Sequence, residues 1–254
     1  MENGNVSSKI ENGIATVTFF HPQSNSLPGA LLRDLATAIA GAGADPEAKV
    51  IVLRSEGEKA FCAGASFDEL VSIKDFDSGK KFFSGFAQVI NAMRKAPKFV
   101  LARVQGKAVG GGVGLACAAD YTFAVTESSV KLSELAIGIG PFVVGPAVER
   151  KIGPAAFSQL SINASEWHTA AWAQEKGIYA QVFSTVSEMD NSIAQLAGKL
   201  ANSHPDAMLE LKKIQWEGTE DWDELLTKRA EITGQLVLSE FTRNAIGKFK
   251  AGAR

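Results

Sequence analysis

Short apolar runs alternate along this chain with longer segments in which apolar residues recur at helical spacing. Ile14 to Phe20 follows the turn signal Asn12-Gly13 and is rich in β-branched residues, which predicts a strand. Leu31, Leu32, Leu35 and Ile39 then mark a helix, with Ser26 as its cap and Pro28 in its first turn. Gly41 to Pro46 stops that helix, and Lys49 to Arg54 is a continuous apolar run of the kind found in buried parallel strands. A strand entering a small-residue loop, Ala60 to Ala65, comes next and leads into a short helix. Phe82, Phe83, Phe86, Val89, Ile90 and Met93 give an amphipathic helix over 79–95, closed by Pro97. Phe99 to Val104 is again a buried-strand run, Val113 to Ala119 a small-residue helix, Asp120 to Val125 a strand and Val130 to Leu132 a shorter one.

Beyond Ser133 the pattern loosens. A helix is expected from Val143 to Ile152, ending at Gly153-Pro154, then a capped helix from Thr169 to Lys176 and a short strand at Gln181 to Phe183. The rest is helical in pattern: Asp190 to Ala201, Asp206 to Trp216, and one long helix from Asp221 to Phe241 running on to Lys248. Repeated strand, loop and helix predict an α/β fold with a mostly parallel sheet and crossover helices. The change of pattern near residue 190 divides a core, 1–190, from a helical C-terminal region, 191–254. Met1 to Asn12 is polar and carries no charged-then-apolar signal pattern. The four tryptophans, Trp167 among them, read as helix-packing residues, and Lys248 and Lys250 as a solvated basic tail.

Composition narrows the function. The 254 residues are 46% hydrophobic and 21% charged, with a net charge of −2, so no electrostatic footprint for nucleic acid or acidic lipid is present. Cys62 and Cys117 lack metal-ligand spacing, no metal site is expected, and reduced thiols fit a reducing, cytoplasmic compartment. No apolar run approaches the roughly 20 residues of a membrane span. The dinucleotide fingerprint and the phosphate loop are both absent. His21, His168 and His204 form no triad or ligand set with Cys62, and there is no nucleophile elbow.

What remains is a pair of glycine-centred loops and one carboxylate. Gly110-Gly111-Gly112 leads into the helix that starts near Val113. At such a helix N-terminus, unpaired N–H groups and the positive dipole end can hold an anion or a developing oxyanion; the alternative is a tight strand-to-helix turn with no ligand. Ala60-Phe61-Cys62-Ala63-Gly64-Ala65 is the second loop, and Glu134 is the carboxylate that follows. Two backbone donors with one general base suit proton abstraction α to a thioester carbonyl.

Ala60 to Ala65, together with Gly106 to Gly112 and Asp120, resembles the two signature segments of the crotonase (enoyl-CoA hydratase/isomerase) superfamily. The likeness runs from about Ile14 to Gly177. It implies a spiral of ββα units, a C-terminal helical region at a trimer interface, and binding of acyl-CoA thioesters. By position, Ala65 and Gly111 would supply the two N–H groups that hold an enolate oxygen. Ala63 and Ala65 would line the coenzyme A path, and Asn25, Ser26 and Leu27 would approach it. Coenzyme A would be part of the substrate, with no separate cofactor, and a homotrimer or dimer of trimers is expected. Family hydratases carry one glutamate two residues after the triple glycine and a second twenty residues later. Here these positions are Gly114 and Glu134. One carboxylate suits the Δ3,Δ2-enoyl-CoA isomerases better than hydration, and the segments Asn25 to Leu27 and Ile137 to Phe142 also look more like theirs. A hydratase, a decarboxylase and a noncatalytic CoA-binding homologue are the alternatives. Ser66 replaces the aspartate common after the first loop.

Overall fold

A computed structural model describes residues 4–252, with side chains through Lys248; the side chain of Lys250 lies outside the described residues. The chain opens with β1 (Asn5–Glu11) and β2 (Ile14–Phe20), joined antiparallel through Asn12 and Gly13, both at positive φ. Two positive-φ residues give the turn whose twist matches a two-residue hairpin. There follow α1 (Gly29–Ala44), β3 (Val50–Ser55), β4 (Ala60–Cys62), α2 (Phe67–Ser72), α3 (Phe76–Lys95), β5 (Val100–Val104), β6 (Lys107–Val109), α4 (Gly111–Ala118), β7 (Tyr121–Val125) and β8 (Ser129–Lys131). A 3₁₀ turn at Leu135–Ile137 precedes α5 (Gly145–Ile162), β9 (His168–Thr169), α6 (Ala170–Glu175) and β10 (Gln181–Phe183). The chain finishes with α7 (Val186–Ala201), α8 (Pro205–Gln215), α9 (Trp222–Leu236) and α10 (Glu240–Gly252).

Successive strands are dealt alternately to two sheets. β3, β5 and β7 enter a six-stranded sheet of order β1-β2-β3-β5-β7-β10, while β4, β6 and β8 enter a four-stranded sheet of order β4-β6-β8-β9. Each of these turns contributes a strand to both sheets, and helices lead from one turn to the next. That is the ββα spiral the resemblance implies. All pairings are parallel except β1 with β2 and β8 with β9. The wholly buried β5 and nearly wholly buried β3 explain their continuous apolar runs. One face of the large sheet packs on α1 and α3; the other is covered by Met189, Ile193 and Ala197 of α7.

The C-terminal helices fold back onto this core. α9 crosses α3 where Gly79 faces Gly234, so closely that a Cβ on Gly234 would lie 2.7 Å from the Lys80 nitrogen. α8 is pinned by a buried pair, Lys212 Nζ to Asp120 Oδ2 at 2.9 Å, while Asp120 Oδ1 accepts from Trp216 Nε1 at 2.7 Å. Among the described residues no helix is long and apolar enough to cross a membrane.

Several boundaries differ from those expected. β1 forms in the polar N-terminal segment because it is an edge strand with only Val6 and Ile10 partly buried. Ser26 does not cap α1; Pro28 holds the N-cap position without a side-chain bond. α3 starts at Phe76, where Asp75 and Ser78 form a capping box, and α7 at Val186, where Thr185 and Glu188 form another. The break expected at Gly153-Pro154 is present: Gly153, at φ 75° and ψ 164°, leaves the helical conformation, and a second helical segment, not foreseen, follows it directly within α5. The long terminal helix is two helices, broken over 237–239, with Ser239 Oγ accepting from Thr242 N at the new start.

Candidate active site

The site is built where the two glycine loops meet. β4 ends at the buried Cys62, and Gly64 turns the chain at φ 82°. Leu27 N donates to Gly64 O at 2.7 Å and Ser66 N donates to Leu27 O at 3.3 Å, so Leu27 and Ala65 form a parallel β-bridge. The bridge fixes the loop from one side. Among the described residues the Ala65 N–H finds no protein acceptor. Ser66 then caps α2 by accepting from Glu69 N.

The second loop follows the same plan. β6 delivers Gly110, at φ 53° and ψ −115°, whose N–H donates to Lys131 O at 2.8 Å. Only glycine adopts that conformation without strain. Gly111 is the first residue of α4, so its N–H has no partner within the helix, and none elsewhere among the described residues. A Cβ added to Gly64 would stand 3.2 Å from Gly111 N and 2.7 Å from Val109 O. The two loops therefore touch, backbone to backbone, and each presents an N–H with no acceptor among the described residues. On the far side of Gly111, the Phe86 ring occupies the space a Cβ would need, at 2.1 Å.

Glu134 closes the site. It sits between β8 and the 3₁₀ turn, and a Cβ on Gly110 would come within 2.9 Å of its Oε1. Its Oε2 is buried with no hydrogen-bond partner among the described residues. Burial pushes the carboxyl up to about 7, against a smaller lowering by a hydrogen bond from its own backbone N–H. The same three elements enclose a small cavity of about 60 Å³, lined by Gly64, Ala65, Gly110, Gly111 and Glu134, with Phe83, Phe86, Phe142, Val143 and Val144 among its apolar walls. Among the described residues Glu134 is the only titratable side chain lining it; Ser133 and Thr233 add hydroxyl-bearing side chains. Through Ala63, Ala65, Phe67, Ser133 and Ile137 it shares walls with an outer cleft of about 1010 Å³.

Ala63, Ala65, Gly111 and Glu134 thus come together as expected. Asn25 and Leu27 do not line either space. Both are buried, and Asn25 instead braces the loop: its Nδ2 donates to Glu56 O at 2.7 Å and Ala60 O at 3.0 Å, and its Oδ1 accepts from His21 N at 3.0 Å. Of that trio only Ser26 lines the outer cleft. Trp167 is not a helix-packing residue; it is 41% exposed at the cleft wall. Lys248, read as part of a free tail, lines the same cleft.

Sequence reasoning missed two further residues. Val144 packs on Gly114, so that a Cβ there would lie 2.5 Å from Val144 Cγ1. Thr233 reaches the cavity from α9. Neither carries a local signal, because each acquires its position only through long-range packing.

A two-sheet ββα spiral enclosing paired free N–H groups is the crotonase architecture. The Enoyl-CoA hydratase/isomerase family model matches residues 9–246, and the chain belongs to that family. It is 25% identical over 246 residues to a probable enoyl-CoA hydratase of Bacillus subtilis (strain 168), covering 96% of this chain and 95% of that protein. It is 31% identical over 203 residues to the carnitinyl-CoA dehydratase of Escherichia coli (strain K12), covering 79% and 76%. The crystal structure of enoyl-CoA hydratase from Bacillus halodurans superposes with a TM-score of 0.88 at 19% identity, covering 96% of this chain and 99% of that one. This last likeness establishes the fold.

Proposed function

We propose that the protein binds an acyl-CoA thioester and moves its double bond from Δ3 to Δ2 through an enolate, with Glu134 as the single shuttling base. The observation that carries this reading is the pairing of Gly114 with Val144: a valine fills the space beside the position where a second carboxylate would stand. The thioester oxygen sits on the Ala65 and Gly111 N–H groups. Glu134 takes a proton from C2, and the electron pair of that C–H bond moves through C1 onto the oxygen to give a dienolate. The protonated Glu134 then returns the proton to C4, leaving the double bond between C2 and C3. No atom is gained or lost, so one carboxyl that accepts and donates in turn is enough. A base held near 7 is suited to both halves. Each backbone donor is worth about 2.7–4 kcal/mol in the transition state. The coenzyme A arm lies in the outer cleft along Ala63 and Ala65.

Glu134→Gln tests this on a 3-enoyl-CoA. We expect a fall in kcat of about 10²–10⁴-fold, and retained turnover refutes the assignment.

A second reading is hydration of a 2-enoyl-CoA. It draws on the names of the relatives and on Ser133 and Thr233, whose hydroxyls line the cavity and could orient water. Formation of a 3-hydroxyacyl-CoA from the 2-enoyl substrate, faster than isomerisation of the 3-enoyl one, decides for it.

A further inference from the structure

The small sheet carries a second polar feature, on the wall of the outer cleft and outside the inner cavity. β6 pairs with β8 so that Val109 lies beside Lys131, and β8 pairs with β9 so that Val130 lies beside His168. The next step of that register sets Trp167 beside Lys131. Side chains alternate between faces along each strand, so Lys107, Val109, Lys131 and Trp167 share one face. Val109, Lys131 and Trp167 line the outer cleft. On this face Lys131 Nζ stands 4.5 Å and Lys107 Nζ 5.1 Å from the centre of the Trp167 ring. An ammonium at that distance is attracted to the indole face, which positions both charges without neutralising either. Among the described residues neither lysine has an ion-pair or hydrogen-bond partner, whereas Lys80, Lys95 and Lys212 each hold a carboxylate. Burial, and then the charge of Lys107, push the Lys131 ammonium down. The carboxylate on the cleft wall, Asp68, accepts from Gln23 Nε2 at 2.7 Å.

Two like charges held close together against an aromatic ring, with no carboxylate between them, are arranged for an anion that comes from outside. Two ammonium donors suit a compact oxyanion with several acceptor oxygens, and a phosphate fits that description. We propose that Lys107, Lys131 and Trp167 form a phosphate-recognition platform in the outer cleft that takes the phosphate-bearing end of the thioester carrier. This rests on the reading of the cleft as an acyl-CoA site. Trp167 is the prop that holds the charges, and the lysines make the contact.

The test is isothermal titration of the full-length protein with CoA, 3′-dephospho-CoA and pantetheine, and with inorganic phosphate as competitor. Wild type is compared with the double variant Lys107→Gln/Lys131→Gln and with Trp167→Leu, which keeps both charges. We expect the double variant to lose about tenfold or more in CoA affinity, with pantetheine affinity held. Trp167→Leu should lose less, and added salt should weaken CoA binding in wild type more than in the double variant. Equal losses for CoA and pantetheine overturn the platform, since the lysines then shape the cleft rather than meet phosphate. Unchanged CoA affinity in the double variant overturns it while the CoA reading stands. Competition by inorganic phosphate with no effect of the double variant places the anion elsewhere and overturns it too. If wild type binds neither CoA nor pantetheine, the reading of the cleft falls, and the platform with it. Circular dichroism of the variants checks that the fold is intact.

Discussion

Replacing Glu134 by Gln should stabilise the protein even as it lowers turnover, and the gain should depend on pH in a defined way. The carboxyl is pushed up from 4.5 to about 7 by burial, with Oε2 unpartnered. Each pKa unit is worth about 1.4 kcal/mol, so holding the anion in the folded state costs about 3 kcal/mol. The sign follows from proton counting. Between pH 4.5 and about 7 the folded chain keeps this proton while the unfolded chain has lost it, so wild-type stability falls as pH rises. The deficit is absent below the unfolded value and complete above the folded one. Glutamine is close in shape and cannot ionise, so any fixed packing difference appears as a constant offset. At about 2.1 cal/mol/K per residue, 254 residues give an unfolding entropy of about 0.5 kcal/mol/K, so the deficit equals about 6 °C in Tm. Thermal melts of the two proteins from pH 4 to 8.5 should show a Tm difference that opens across that window and then levels off. A flat difference, or a wild type that gains on the variant as pH rises, refutes the buried, unpartnered carboxylate. The same titration predicts a kcat/KM that falls as pH drops below about 7, because the base must be ionised to take the C2 proton.

Three further outcomes follow from the packing. Gly110→Ala places a methyl at φ 53° and 2.9 Å from Glu134 Oε1; it should cost about 1–3 kcal/mol in urea unfolding and displace the base, so turnover collapses in protein that still folds. Lys212→Met leaves Asp120 buried without its cation, although Val100 N and Trp216 Nε1 still donate to it; a loss of about 3–5 kcal/mol is expected, and a loss under 1 kcal/mol would show the pair to be dispensable. Gly114→Ala, whose new methyl meets Val144 Cγ1 at 2.5 Å, should lose about 1–3 kcal/mol, and adding Val144→Ala should recover most of it; failure to recover means the clash lies elsewhere.

Much of the fold was legible because burial imposed it on the pattern. β3 and β5 are covered on both faces and read as unbroken apolar runs; α3 has one buried face and reads at helical spacing. β1 was hidden for the converse reason, since an edge strand packed on one side by two partly buried residues leaves little periodic trace. Some misses were avoidable. Thr185 followed by Glu188 is a capping-box signature in the sequence, and it moves the start of α7 to Val186. The break between α9 and α10 carries no glycine or proline, and only the Ser239 cap marks it.

The site divides in the same way. Gly64, Gly110 and Glu134 are legible because a tight turn and a donor loop demand particular residue types at short range. The family resemblance puts Asn25 against the ligand, yet its three hydrogen bonds commit the amide to the loop, so it shapes the cleft without facing it. The subtler case is Gly114. Its lack of a carboxylate is visible in the sequence, but a bare glycine leaves a hole that water could fill, and a water there would support hydration. Val144, thirty residues on, packs its Cγ1 into that hole and also lines the cavity. On the isomerase reading proposed above, the absent side chain and the added one act together, removing a water-orienting carboxylate and the room for its water. Gly114→Glu combined with Val144→Gly should therefore raise the ratio of hydration to isomerisation where Gly114→Glu alone only destabilises. If the double variant hydrates no better than wild type, the valine is packing and nothing more.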